Sequence, residues 1–257
     1  MLYLFSMLIF FAGSANLYAG MHAEIVEYRH GDTMLEGYLA YDDEVEGIRP
    51  AVLVVHDWMG VGPYVKKRTE ELVRLGYIAF AIDMYGKGVR PKNSEEASAQ
   101  AGIYRKDRQL MRARANAGLE VLKKHRLTDT RRIAAIGYCF GGGTVLELTR
   151  SGADLAGAVS FHGNLDTPNP EDAKNIKAKV LVLHGGDDPF VPPDQVIAFQ
   201  NEMRKAGVDW HMVIYGGAVH SFTIPDAGSD NSKGAAYNKK ADRRSWEAMR
   251  QFFIELF

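Results

Sequence analysis

Beyond residue 20 the chain alternates short apolar runs with longer stretches whose apolar positions recur every three to four residues. That is the pattern of parallel strands joined by crossover helices. Apolar runs at residues 51–55 (AVLVV), 78–82 (IAFAI), 133–136 (IAAI), 158–161 (AVSF), 180–183 (VLVL) and 212–215 (MVIY) predict strands buried on both faces. Two earlier segments, 23–29 and 35–41, alternate apolar with polar residues about the turn His30-Gly31-Asp32 and read as an antiparallel edge hairpin.

Helical periodicity predicts four connecting elements. Residues 64–75 carry Val65, Leu72 and Leu75 on one face and stop at Gly76, which suits a left-handed cap. Residues 105–125 place Leu110, Ala113, Ala117, Leu119 and Leu122 among many basic positions, as an amphipathic surface helix with solvated charges would. Residues 195–206 follow the start signal Pro192-Pro193 and end at Gly207. Residues 236–257 bring Trp246, Met249, Phe252, Phe253 and Phe257 against the sheet. Segments 84–93, 163–175 and 225–234, rich in Gly, Pro and Asn, are expected as rim loops. The expected architecture is an α/β domain over residues 21–257: a mostly parallel central sheet, an antiparallel N-terminal edge hairpin, and helices on both faces.

Composition narrows the function. A chain of 257 residues with 46% hydrophobic content can bury one large core, and it shows no repeat or linker. Lys and Arg number 31 against 32 Asp and Glu, a net charge of −1, so no basic field suited to nucleic acid is present. The single cysteine, Cys139, excludes an intrachain disulfide, and no Cys or His pair has metal-ligand spacing. Residues 2–13 (LYLFSMLIFFAG) and the small, polar stretch after them read as a signal peptide over residues 1–19. About a dozen apolar residues fall short of the roughly 20 that span a bilayer, so stable membrane insertion is not expected. The expected location is periplasmic or secreted. The leader lacks Lys and Arg, and a start at Met21 would instead give a cytoplasmic protein.

The chemistry concentrates where strands end. After the run at 133–136 comes Gly137-Tyr138-Cys139-Phe140-Gly141-Gly142-Gly143 and then a helical stretch, which makes a nucleophile elbow with cysteine in the serine position. Side chains two positions before and after such a strained nucleophile would strike backbone, so glycine is required there. The helix starting beside Cys139 favours thiolate. A dinucleotide loop would need glycine where Cys139 stands, and no Lys-Ser or Lys-Thr follows to make a phosphate loop. The run at 180–183 leads into Asp187-Asp188, and the run at 212–215 leads toward His220, the order nucleophile, acid, base. Either aspartate can orient the imidazole. After residues 51–55, the segment His56-Asp57-Trp58 occupies the loop that supplies one oxyanion N–H in such sites; Trp58 and Phe140 are the expected backbone donors. Acyl transfer on this set needs no metal or organic cofactor.

The run 137–142, the segment Asp188-Pro189-Phe190-Val191-Pro192, the triplet His220-Ser221-Phe222 and the acid after the third strand together resemble the dienelactone hydrolase family of α/β-hydrolases, over residues 24–257. The resemblance implies Asp188, rather than Asp187, as the acid. It also implies that Asp57 matches a glutamate that holds the resting thiol in family enzymes and swings away on substrate binding; aspartate is one methylene shorter. Dienelactone-cleaving members clamp the substrate carboxylate with two arginines, one shortly after the histidine, where this chain reads Ser221-Phe222-Thr223-Ile224-Pro225. Arg105 or Arg108 matches the other. The implied activity is hydrolysis of a small-molecule ester or lactone through a Cys139 acyl-enzyme, with neutral short-chain esters preferred over dienelactone. The other reading is a weakly active hydrolase scaffold serving as a small-ligand receptor, because one fold hosts many functions. Oligomeric state is left open.

Overall fold

The computed structural model describes residues 20–257, so the predicted signal peptide lies outside the described residues. Strands β1 (Met21–His30) and β2 (Thr33–Asp42) form the antiparallel hairpin, in register from Met21 opposite Asp42 to His30 opposite Thr33. There follow β3 (Arg49–Val55), α1 (Pro63–Val73), β4 (Ile78–Ile82), α2 (Ser94–Lys106), α3 (Arg108–Lys124), β5 (Thr128–Tyr138), α4 (Phe140–Arg150) and β6 (Gly157–Phe161). Then come β7 (Lys179–Gly185), α5 (Pro193–Ala206), β8 (Trp210–Tyr215) and α6 (Lys239–Leu256). They build one eight-stranded sheet, ordered β1-β2-β4-β3-β5-β6-β7-β8. β2 pairs antiparallel with β4, and every pairing from β4 to β8 is parallel.

The chain moves from β3 to β4 on one side and returns to β5 on the other, so strand order reverses between β3 and β5. Parallel sheets bind ligands beyond the carboxyl ends of their strands at such a switch point. Both faces of the sheet are packed. Leu53, Phe80 and Ile82 meet Met111, Leu119 and Leu122 of α3 on one side. Val52, Val54 and Ile136 point the other way, into a cluster shared with Val65 and Leu72 of α1 and Met249 and Phe253 of α6. Consecutive apolar positions in β3 therefore feed two cores, as the unbroken apolar runs require.

Several expectations need correction. The helix predicted over 105–125 is two helices broken at Asp107, whose carboxylate accepts the Leu110 N–H and caps α3. The preceding helix α2 was not predicted, although Asn93 and Glu96 form a reciprocal cap at its start, a signal readable in sequence. The charges on α3 are not simply solvated: Arg114 is buried and donates to the Met84 carbonyl, and Arg112 lies between Glu147 and Asp172. β8 is an edge strand with Ile214 exposed, not one buried on both faces. α1 ends at Val73 and α6 begins at Lys239, each inside the predicted limits. Gly207 does close α5 in the left-handed conformation.

Candidate active site

Cys139 sits between the last residue of β5 and the first of α4 with φ 54° and ψ −116°, a conformation disfavoured for any residue with a side chain. The glycines flanking it show why the turn can be so sharp. A Cβ on Gly137 would lie 2.0 Å from the Gly141 carbonyl oxygen, and one on Gly141 would lie 2.3 Å from that of Val55. Neither contact is tolerable, so α4 can start directly over the end of the sheet only with glycine at both positions.

His220 reaches the thiol from the loop after β8. Its backbone is held on both sides, because its N–H donates to Gly234 and its carbonyl accepts from Ala236. The imidazole Nδ1 is 2.8 Å from Asp188 Oδ2 and Nε2 is 3.0 Å from Cys139 Sγ. The second oxygen of Asp188 accepts the Phe190 N–H at 2.9 Å, which fixes the carboxylate that faces the ring. Asp187 is exposed, whereas Asp188 is buried. Burial alone would depress the His220 pKa; the negative charge of the cysteine and the hydrogen-bonded Asp188 overcome it and lift it to about 10. The ring thus stands between a buried carboxylate and the Cys139 sulfur, within hydrogen-bond reach of both.

Asp57 and Trp58 follow β3, next to the elbow. The Asp57 carboxylate is buried and accepts the Met59 N–H at 2.7 Å; burial pushes its pKa up to about 6, with that hydrogen bond opposing. The thiol's hydrogen-bond partner is His220, and Asp57 keeps to its own loop. The Trp58 carbonyl accepts the Tyr85 hydroxyl at 3.0 Å. Phe140 is the first residue of α4, where a helix leaves its N–H without an internal acceptor. A cavity of about 390 Å³ opens above these groups, with Cys139, His220 and Trp58 in its wall together with Phe190, Asn164 and Ser221.

The structure separates the two candidate arginines. Arg105 lines the cavity and donates to Asn164 at 3.2 Å. Arg108 is turned away, paired with Asp166 at 2.7 Å. In its place the cavity wall holds Lys233, on a one-turn 3₁₀ helix Asn231–Lys233 that is tied to His220 by the pairing of its neighbours. Counting arginines after His220 could not find it. Also missed were His162 and Thr223, both fully buried: His162 Nδ1 accepts the Cys139 N–H at 3.1 Å and Nε2 lies 2.7 Å from Thr223 Oγ1. Among the described residues the only non-glycine residues with positive φ are Cys139, His162 and Ser221, all at this end of the sheet. No cluster of three or more metal-ligating side chains occurs among the described residues.

Comparison with known proteins points the same way. The profile of the dienelactone hydrolase family matches residues 35–257. A protein of Aquifex aeolicus named as a candidate carboxymethylenebutenolidase is 27% identical over 235 residues, covering 90% of this chain and 97% of its own. Two solved structures superpose with TM-scores of 0.89. One, titled m3DLH, is 39% identical; the other, a dienelactone hydrolase-like promiscuous phosphotriesterase from metagenomic libraries, is 41% identical. Each covers 93% of this chain and 99% of its own.

Proposed function

The chain belongs to the dienelactone hydrolase family, whose activity is that of lactone and ester hydrolases, and on that premise we propose that it cleaves a carboxylic ester or lactone through an acyl-enzyme on Cys139. The observation that carries this reading is the His220 ring standing between Asp188 at 2.8 Å and the Cys139 sulfur at 3.0 Å.

The Cys139 thiolate attacks the substrate carbonyl carbon, forming a C–S bond as the carbonyl π electrons move onto oxygen. The Trp58 and Phe140 N–H groups receive that oxyanion. Collapse breaks the C–O bond, and the leaving alkoxide takes the proton held on His220 Nε2. Water then gives a proton to the neutral imidazole and attacks the thioester. The acid leaves and the thiolate–imidazolium pair is restored. Asp188 holds the ring in the tautomer this cycle needs. In a lactone the alkoxide stays attached and the product is a hydroxy acid.

The test is rapid acid quench of p-nitrophenyl acetate turnover followed by proteolysis and peptide mass measurement. An acetyl increment on the peptide containing Cys139, and its absence after iodoacetamide treatment, is the expected result. Ligand binding with no turnover and no acyl adduct would overturn the proposal and leave a receptor on a hydrolase scaffold. A phosphotriester is a second substrate class to assay, because a relative 41% identical is titled a promiscuous phosphotriesterase and peptide N–H groups donate to a phosphoryl oxygen as they do to a carbonyl oxygen.

A further inference from the structure

His162 stands at the end of β6 with φ 39°, a positive value that costs a histidine strain and persists only where its surroundings hold it. Its own N–H donates to the Leu183 carbonyl at 2.9 Å, so the backbone is fixed from β7. The ring is fixed as well. Nδ1 receives the Cys139 N–H, which leaves the proton on Nε2, and Nε2–H donates to Thr223 Oγ1. Behind Thr223 lies the Tyr64 hydroxyl at 2.6 Å, and behind that Arg68, which donates to Tyr64 and to the Thr223 carbonyl. Arg68 is itself anchored by Glu71 and Asp242. A buried polar chain thus runs from the α1–α6 side of the sheet to the backbone of the nucleophile.

We infer that His162 is a positioning residue for the Cys139–His220 pair: its imidazole, held in one tautomer by Thr223, accepts the elbow N–H and so keeps the sulfur at His220 Nε2. The geometry also brings the His162 ring edge-on to the His220 ring, with centroids 5.4 Å apart, and edge-on to Phe222 at 5.0 Å. The titratable groups around it are His220 and Cys139 on the cavity side and Tyr138, Tyr64 and Arg68 behind. Burial, then the positive charge on His220, hold the His162 pKa well below the usual histidine range. A neutral ring is what the site needs there, since a second cation would oppose the imidazolium on His220. The Cys139 N–H is shared with the Phe161 carbonyl at 3.0 Å, so removing His162 weakens the hold on the elbow without abolishing it.

The experiment compares His162→Asn, His162→Phe and Thr223→Val with the wild type, reading kcat, KM, melting temperature and the pH midpoint for iodoacetamide alkylation of Cys139. An asparagine carboxamide can place its oxygen where Nδ1 stands and accept the Cys139 N–H, whereas phenylalanine fills the space and accepts no hydrogen bond. With one neutral hydrogen bond at stake, His162→Phe should lower kcat roughly 3- to 10-fold at little-changed KM and move the alkylation midpoint upward. His162→Asn should stay within about 3-fold of wild type and keep its midpoint. Thr223→Val, which removes the acceptor that fixes the tautomer, should move the midpoint the same way as His162→Phe. It serves alone if the phenylalanine variant does not fold.

A wild-type midpoint in folded His162→Phe or Thr223→Val, or equal losses in His162→Asn and His162→Phe, would overturn the inference. The inference rests on Cys139 being the nucleophile, and the two ideas fail differently. Activity that survives complete alkylation of Cys139 removes the nucleophile, whereas an alkylation-sensitive enzyme with unmoved midpoints removes only the role of His162.

Discussion

Two regions of this molecule bury charge, and they do it in opposite ways. Where α3, α4 and α5 meet, Arg150 donates to both oxygens of Glu202 at 2.7 and 2.8 Å, to Glu147 at 3.0 Å and to the Leu165 carbonyl at 3.1 Å. The other oxygen of Glu147 is taken by Arg112, which continues to Asp172. Each charge in that set has an opposite charge in contact. At the carboxyl end of the sheet, by contrast, Asp57 is buried with a backbone N–H for company, His220 is lifted to about 10, and three side-chain-bearing residues hold positive φ. Burial of charge is common to both regions. What marks the second is that strain and incomplete pairing face a cavity, the pattern expected where structure is traded for chemistry.

The contrast is broken most directly by exchanging the kind of damage each region should suffer. Cys139→Ala should lower kcat for p-nitrophenyl acetate by at least ~10³-fold, the scale of losing a triad member, while the melting temperature stays near wild type. Arg150→Met should do the reverse. Removing one partner of a buried, hydrogen-bonded ion pair destabilises by about 3–5 kcal/mol, because the buried Glu202 left behind has no cation in contact among the described residues, although Glu147 keeps Arg112. Urea denaturation should show that loss, with kcat per folded molecule unchanged. A marked fall in kcat for folded Arg150→Met would mean that the helix junction takes part in the chemistry and that the two regions are not separable.

A third substitution sharpens the contrast by asking whether the active end is held at a cost. The Asp57 carboxyl is raised from 3.8 to about 6 by burial, so the folded state binds its proton more tightly than the unfolded chain. Its stabilising contribution is therefore complete below about pH 4 and is lost as pH rises through about 6. Two pKa units correspond to about 2–3 kcal/mol, so Asp57→Asn should raise stability by up to that amount near pH 7.5 and by little near pH 4. Urea melts at the two pH values decide it. An equal gain at both would point to packing rather than to an ionised carboxylate.

How much of this was readable before the fold follows from the range of each interaction. Strand runs such as 78–82 and the elbow 137–143 are local patterns, fixed by alternation and by what a Cβ would strike, and they appear where sequence places them. The order of Cys139, Asp188 and His220 is also local to three strand ends. The choice between Arg105 and Arg108 was not readable, because it turns on the break at Asp107, which separates the two arginines onto different helices and aims them apart. Nor was His162, whose partners Cys139 and Thr223 come from other strand ends and whose own segment, Ser160-Phe161-His162-Gly163, carries no motif.

Lys233 belongs to the same class of long-range surprise, and it bears on the smallest effect. The absence of arginine from residues 221–225 predicts a preference for neutral esters, yet the cavity wall presents Lys233 and Arg105 together. Lys233 is exposed, so its attraction for a substrate anion is screened and worth little compared with a buried clamp. Lys233→Met should therefore lower kcat/KM for a p-nitrophenyl ester bearing a free carboxylate by only ~2- to 5-fold at low salt, the scale of an exposed ion pair. The loss should shrink toward nothing near ~0.5 M NaCl, where the screening length is a few ångströms. p-Nitrophenyl acetate, with no charge to attract, should be unaffected at either salt. Equal losses on the two esters would make Lys233 a packing element of the rim, and no loss on either would return the pocket to the neutral preference that Ser221-Phe222-Thr223-Ile224-Pro225 predicts. A salt-sensitive loss confined to the anionic ester would show that a cation arriving from the far side of the histidine loop tunes this pocket toward acidic substrates.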